Sequence, residues 1–369
     1  MSSKFLLFPI FGIVVPLFLY LVFDEVRQYA SLPMIPIGNV ELLPLEIGPT
    51  DISNKQSDKI IFVGDVLMAR HVEFLLSTKG SGYSFKYTPE IFAGATTIIG
   101  NFESAVLKNH IKTPSFVTTF SVDTKFLPLL REAGFTHVSL ANNHSLDYGQ
   151  ETFEYTVEKL SQTGIEVLGH PQIVSSSSVR IIHSGDYNVG LLALNQVFSI
   201  LSWEDITTQL NELASTSDFQ IAYIHWGEEY LLKHNQTQED IAKRLIDGGI
   251  DAVIGHHPHV TQDIQVYNGR PIFYSLGNFL FDQYFSVDVQ QGLVLTLELS
   301  SSTVEYTITP VTSEGKLSQP YLMPVTEAGL FLKNLARRGD PVYAETIASG
   351  KLILPLYLAS STITGMIAP

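Results

Sequence analysis

The sequence predicts a layered α/β domain carried behind one apolar N-terminal helix, and three observations predict it. From residue 59 onward, short apolar runs rich in β-branched residues alternate with amphipathic stretches. Residues 5–23 carry no charge and are almost wholly apolar. Five of the apolar runs end directly in Asp, Asn, Glu or His.

The chain has 369 residues, enough for one domain of about 250 residues with smaller attachments. A hydrophobic fraction of 45% and a charged fraction of 16% suit a folded chain with a sizeable core. The formal net charge is −15 and there is no long basic run, which argues against a nucleic-acid partner held through a phosphate-seeking face. There is no cysteine. Disulfides, Cys-ligated zinc, iron–sulfur clusters, a thiol nucleophile and lipid attachment through an N-terminal cysteine are excluded with it. Any metal must rest on His, Asp, Glu and Asn.

The apolar segment is expected to cross a membrane. A helix of about 19 residues spans about 28 Å, close to the thickness of a bilayer's hydrocarbon. Pro9, Gly12 and Pro16 interrupt it, as membrane helices tolerate. The alternative is a cleaved signal peptide, but the chain continues as Asp24, Glu25, Val26, Arg27, Gln28 and Tyr29 with no small-x-small pattern close by. Lys4 lies before the span and Arg27 after it beside two acids, which places residues 1–4 in the cytoplasm and the main domain outside the cell. Residues 24–58, with Pro33, Pro36, Pro44 and Pro49, read as an extended tether.

Strands are expected over 60–63, 97–99, 137–140, 166–168, 179–182, 189–194, 220–224, 252–254 and 272–274. A hairpin of 293–299 and 304–308 should turn at 300–303. Helices lie between several of these, with Phe153, Val157 and Leu160 on one face and Ile241, Leu245 and Ile246 on another. The serines at 175–178 read as a surface loop. Residues 313–369 carry little pattern and leave a packed extension and a small subdomain both open.

The polar strand endings are IIFVGD (Asp65), TTIIGNFE (Asn101, Glu103), HVSLANNH (Asn142, Asn143, His144), QIAYIHWGEE (His225, Glu228, Glu229) and AVIGHHPH (His256, His257, His259). In open α/β sheets, functional groups gather beyond the carboxyl ends of strands. Each segment alone has a plainer reading. Gly64-Asp65 can be a strand-to-turn ending, Asn142-Asn143-His144 a turn with a helix cap, and His225 a satisfied core histidine. His257-Pro258-His259 points further: in extended backbone, residues i and i+2 face one side, and both imidazoles reach one ion. His71, His110, His137, His170, His183 and His234 lack such a setting and read as surface or core residues. His71 and His256 stand nearest the group without being assigned to it.

GDVLMAR (64–70), GNFES (100–104), LANNHSLDYG (140–149), HWGEEY (225–230), GHHPH (255–259) and SLGNFLFD (275–282) together resemble the CapA-like poly-γ-glutamate capsule biosynthesis family, a branch of the calcineurin-like metallophosphoesterases. The resemblance covers roughly residues 59–285. It implies a four-layer α/β/β/α sandwich over 59–312 with its site at one edge, binding one or two divalent ions, with Mn, Fe, Zn and Mg all compatible. By the same resemblance Asp65 opens the site, Asn143 is the metal-binding asparagine and His144 contacts the scissile group. Asn143, His225 and His257 complete one metal, and His259 joins Asp65 on the other. Glu103 is the candidate bridging carboxylate, with Asn101 its competitor, and Asp147 is placed to orient His144. Glu229, Asn278 and Asp282 fall in matching motifs and line the site. The family's usual Asp-x-His is broken here by Leu67, and its GD-x-x-D carboxylate is replaced by the GNFE segment.

Two functions follow as expectations. One is an enzyme acting on a phosphoester or amide-like bond of a surface polymer, with His144 protonating the leaving group and Arg70 holding an anion by its fork. The other is a non-catalytic subunit of a membrane polymer synthesis or export complex. Partners would be the membrane, synthase or export subunits, and an anionic polymer or phosphoester.

Overall fold

The computed structural model describes residues 56–357 apart from Ser115. The expected span 5–23 and most of the tether 24–58 lie outside the described residues. Among those described, no helix is long and apolar enough to cross a membrane.

The chain is a mixed α/β fold. β1 (Lys59–Val66), α1 (Arg70–Lys79), α2 (Thr88–Ile91) and β2 (Ala95–Phe102) lead into a short pair, β3 (Ala105–Val106) and β4 (Ser121–Val122). α3 (Pro128–Glu132), β5 (His137–Ser139), α4 (Gln150–Gln162) and β6 (Glu166–Leu168) follow. The second part runs through β7 (Val179–Ser184), β8 (Tyr187–Asn195), α5 (Trp203–Thr216), β9 (Phe219–His225), α6 (Gln236–Asp247), β10 (Ala252–His256), β11 (Ile264–Tyr267) and β12 (Arg270–Phe273). The chain then returns through β13 (Asn278–Leu280), β14 (Gln291–Leu299), β15 (Thr303–Thr312), β16 (Tyr321–Leu322), α7 (Val325–Arg338), α8 (Ala344–Ala348) and β17 (Lys351–Pro355).

These strands make two main sheets. One follows the order β16-β15-β14-β1-β2-β5-β6, with β13 beside β1 and β17 beside β15; the other is β11-β12-β10-β9-β8-β7. β1, β2, β5 and β6 are parallel, as are β8, β9, β10 and β12. Such strands are covered on both faces, which is why they read as unbroken apolar runs. In β1, Ile60 and Phe62 face a core shared with Leu191, Ile221, Tyr223 and Ile254 of the other sheet. Ile61 and Val63 face away, against Leu76, Leu130 and Leu160. The second sheet likewise turns Leu192, Ala222 and Ile224 toward Ile206, Leu210 and Leu245 of its own helices. The layers therefore run helix, sheet, sheet, helix.

The hairpin turns at the expected place, with the Ser300 N–H donating to Thr303 O at 2.8 Å. The serines at 175–178 form a capped 3-10 turn, and Ser178 is buried where a surface loop was expected, because its hydroxyl closes the turn on Ser175 N–H. In the C-terminal segment, β17 pairs with β15, and Leu332, Leu335, Ile347, Leu352 and Leu354 join the core between the sheets.

Candidate metal centre

Parallel strands of both sheets end at one edge and deliver their polar residues there in register. Asp65 lies opposite Asn101 and Asn278, and His225 lies opposite His256. Two glycines make room for this. A Cβ on Gly64 would stand 1.8 Å from Gly277 O, and one on Gly255 would stand 2.1 Å from Tyr274 O. Only residues without a side chain fit where 274–277 cross beside both strands.

Asp65, Asn101, Glu103, Asn142, His225 and His256 are fully buried, and His257 and His259 nearly so. Asn101 Nδ2 is 2.8 Å from both Asp65 Oδ1 and Glu103 Oε1. His225 Nε2 is 2.7 Å from Asn143 Oδ1, and its Nδ1 is 2.8 Å from His256 Nδ1. Asp65 Oδ2 accepts the His257 backbone N–H at 3.2 Å and lies 3.3 Å from His259 Nδ1. His144 Nδ1 meets Asp147 Oδ2 at 3.1 Å while its Nε2 is 3.1 Å from Asn143 Nδ2. Because a carboxylate only accepts, the His144 proton sits on Nδ1 and Nε2 accepts from Asn143. Asn143 Oδ1 then accepts from His225 Nε2. Phe120 packs on the His144 ring at 4.0 Å between centroids and holds its plane.

Burial sets the charge states. His225 is held well below its ordinary value by burial first, then by repulsion from His257 and His256. Burial lowers His257 to about 3 and, against the pull of Asp65, His256 to about 4. All three stay neutral near pH 7, the form that offers a lone pair to a cation. Glu103 is pushed well above the carboxylate range by burial and then by the neighbouring Asp65. For Asp65 burial acts upward as well, but the hydrogen bond and charge of His259, with the charge of His256, outweigh it and hold the group low.

The residues fit a divalent cation. Glu103 Oε2 and His256 Nε2 are buried without a hydrogen-bond partner among the described residues. Ligand atoms of Asp65, His225 and His256 lie within 4.8 Å of one another, as do those of Asp65, Glu103 and His259. Beside them opens a cleft of about 420 Å³, lined by Arg70, Phe120, Asn143, His144, Asp147, Glu229, Tyr230 and His259 among others.

Every residue assigned from the sequence reaches this edge, but four expectations change. His256, left unassigned, is inside the cluster because β10 runs two residues past the expected 252–254 and ends on it. His257 and His259 converge by another route than strand alternation: both are left-handed, with φ of 101° and 58°, and their ring centroids are 5.9 Å apart. Arg70 does not offer a free fork, since its guanidinium pairs with Asp282 through Nε at 3.1 Å and through Nη2. Asn101 turns its amide nitrogen toward the carboxylates, so its inward end is a donor. Asn278 and Asp282 gain roles: Asn278 Oδ1 bonds His259 Nδ1 at 2.9 Å, and Asp282 anchors Arg70 and the His71 N–H. His71 itself meets the Tyr284 hydroxyl at 3.0 Å. Phe120 gave no signal in the sequence, lying in an irregular stretch.

The family described as bacterial capsule synthesis protein PGA_cap matches residues 59–283. The PGA biosynthesis protein CapA of Bacillus subtilis (strain 168) is 28% identical over 309 residues, which covers 79% of this chain and 80% of the relative. The capsule biosynthesis protein CapA of Bacillus anthracis is 30% identical over 267 residues, covering 66% and 65%. Among solved structures, a hypothetical protein from Thermus thermophilus aligns with a TM-score of 0.42 at 18% identity, over 71% of this chain and 95% of that one. A novel phosphatase from Mycoplasma pneumoniae aligns with a TM-score of 0.40 at 14% identity, over 71% and 91%. With well over half of its length matched, the chain belongs to the bacterial capsule synthesis protein PGA_cap family.

Proposed function

We propose that this chain is a membrane-anchored, CapA-like protein of poly-γ-glutamate capsule or surface-polymer biosynthesis, whose centre is of the metallophosphoesterase type and acts on a phosphoester or amide-like bond. The convergence of Asp65, Glu103, Asn143, His225, His256 and His259 from both sheets beside an open cleft, with His257 against Asp65 and His225, carries this reading. The helix–sheet–sheet–helix layering supports the phosphoesterase type, and the names of the two Bacillus relatives support the polymer. Residues 5–23 would anchor the chain with its main domain outside the cell.

Asp65, Glu103 and the four histidines would hold the cation, with Asn143 beside them. When bound, a divalent cation supplies Lewis-acid stabilisation of charge on the attacked group. His144 sits at the cleft with Nε2 toward Asn143 and Nδ1 fixed by Asp147, so a proton taken up at Nε2 would be delivered to a leaving group there. The test is cation-dependent phosphate release from an aryl phosphate by the full-length chain. Release abolished by a chelator and restored by Mn²⁺ is expected; a cation-loaded but inert chain sinks the enzyme.

A non-catalytic subunit of a polymer synthesis or export complex is the second reading, and one observation favours it. Arg70, the cationic side chain lining the cleft, is already paired with Asp282, while Glu229 lines the same wall. A polyanion would find little there to hold it without the cation. Co-purification of an inert, cation-loaded chain with membrane synthase components would establish it.

A further inference from the structure

A hydrogen-bond donor occupies the middle of the cluster. Asn101 Nδ2 lies 2.8 Å from Asp65 Oδ1, 2.8 Å from Glu103 Oε1 and 3.2 Å from His225 Nδ1. Those residues span both triads able to hold a cation. The direction of this amide decides what it can do, because a carbonyl oxygen ligates a cation and an NH₂ group does not.

The two ends of an amide are told apart by their partners. Here the chain of partners starts from groups of fixed polarity. The His144 backbone N–H donates to Asn142 Oδ1 at 3.0 Å, and the Ser145 hydroxyl donates to the same oxygen at 3.1 Å. The Phe102 carbonyl, which only accepts, receives Asn142 Nδ2 at 2.9 Å. Asn142 is therefore locked at both ends. Its remaining N–H goes to Asn101 Oδ1 at 3.0 Å, which uses the Asn101 oxygen on the outer side and turns the NH₂ inward. A reversed Asn101 would set NH₂ against NH₂ at Asn142 and an oxygen against the Asp65 carboxylate at the inner end. Both ends resist the flip.

We infer that Asn101 is a positioning residue, a fixed amide donor standing between the two triads, so that the centre holds one divalent cation and not two. The inference rests on the cation site proposed above. Asp65 is the residue common to both triads, and Asn101 already engages its Oδ1 together with one oxygen of Glu103.

Asn101→Asp tests this with little change of shape. An aspartate there would still accept from Asn142 Nδ2 while turning an oxygen inward. The full-length chain and the variant are dialysed against Mn²⁺ and bound manganese is counted per chain by mass spectrometry. One ion in the natural chain and two in Asn101→Asp are expected, with a larger rise in Tm on adding Mn²⁺ for the variant. Two ions in the natural chain overturn the inference and leave the cation site standing. An unchanged count in Asn101→Asp overturns it as well, and no ion in the natural chain removes both the inference and the site. Should Asn101→Asp not fold even with Mn²⁺, the count in the natural chain decides alone.

Discussion

The two sheets furnish the same edge with different chemistry. The first brings carboxyl groups and amides: Asp65, Asn101, Glu103, Asn142, Asn143 and Asn278. The second brings the imidazoles of His225, His256, His257 and His259. The first half is bonded within itself, Asn142 to Asn101 and Asn101 to Asp65 and Glu103. The second leans across, His225 on Asn143 and His259 on Asn278 and Asp65. An amide has a donor end and an acceptor end and can be locked in direction, whereas a buried neutral imidazole offers one lone pair and follows its neighbour. Direction is thus set by the first sheet, and most of the electron pairs come from the second.

Asp65 is the joint between them, and breaking it should have the largest effect. Its Oδ2 accepts the His257 N–H and stands beside His259, and it belongs to both triads. Asp65→Asn keeps the shape but removes the charge and one acceptor. The variant is expected to lose retained Mn²⁺ and to release phosphate from an aryl ester at least about 100-fold more slowly, beyond the 10–100-fold typical of an outer partner. Full retention of the ion would mean that the imidazole half holds it unaided.

The imidazole half also carries a pH signature in the cation-free chain. His256 stays neutral down to about 4 and His257 down to about 3, against an ordinary value of 6.5. As pH falls the unfolded chain takes up these protons first. The stability they contribute is therefore complete above about pH 6.5 and is lost as pH falls through the window toward those folded values. The His256 shift corresponds to roughly 3 kcal/mol. Glu103, raised, and Asp251, raised to about 6 by burial, act with the opposite sign, so the comparison must be made residue by residue. His256→Gln should flatten the fall of Tm between about pH 6.5 and 4 relative to the natural chain. An identical slope in both would place the sensitivity outside the imidazole half.

Much of this arrangement is legible in the sequence, because it follows from local rules. Unbroken apolar runs ending in Gly-Asp, Gly-Asn or Gly-His mark parallel strands covered on both faces, and β1, β2 and β10 lie where those runs are. The strand ends then gather the polar groups without further information. What stays hidden depends on partners distant in the chain. Arg70 is committed to Asp282, 212 positions away, and no spacing in either segment announces it. The direction of Asn101 is set by Asn142, 41 positions on. The His257-Pro258-His259 motif is visible, but its left-handed backbone departs from strand period, and nothing in the motif marks His256 as part of the cluster.

The smallest expected effect sharpens the comparison from the side of direction alone. Asp147 Oδ2 accepts both the Phe120 N–H at 2.7 Å and His144 Nδ1 at 3.1 Å, so one oxygen fixes the loop that covers His144 and the imidazole itself. It belongs to neither cation triad. Asp147→Asn can keep that oxygen in place while removing the negative charge beside the His144 ring. Turnover of an aryl phosphate is therefore expected to fall by about 10–100-fold with the Mn²⁺ count unchanged. A loss of manganese in this variant would show that orientation and cation holding are not divided between the sheets, because a residue of the first sheet acting only through His144 would then have reached the ion.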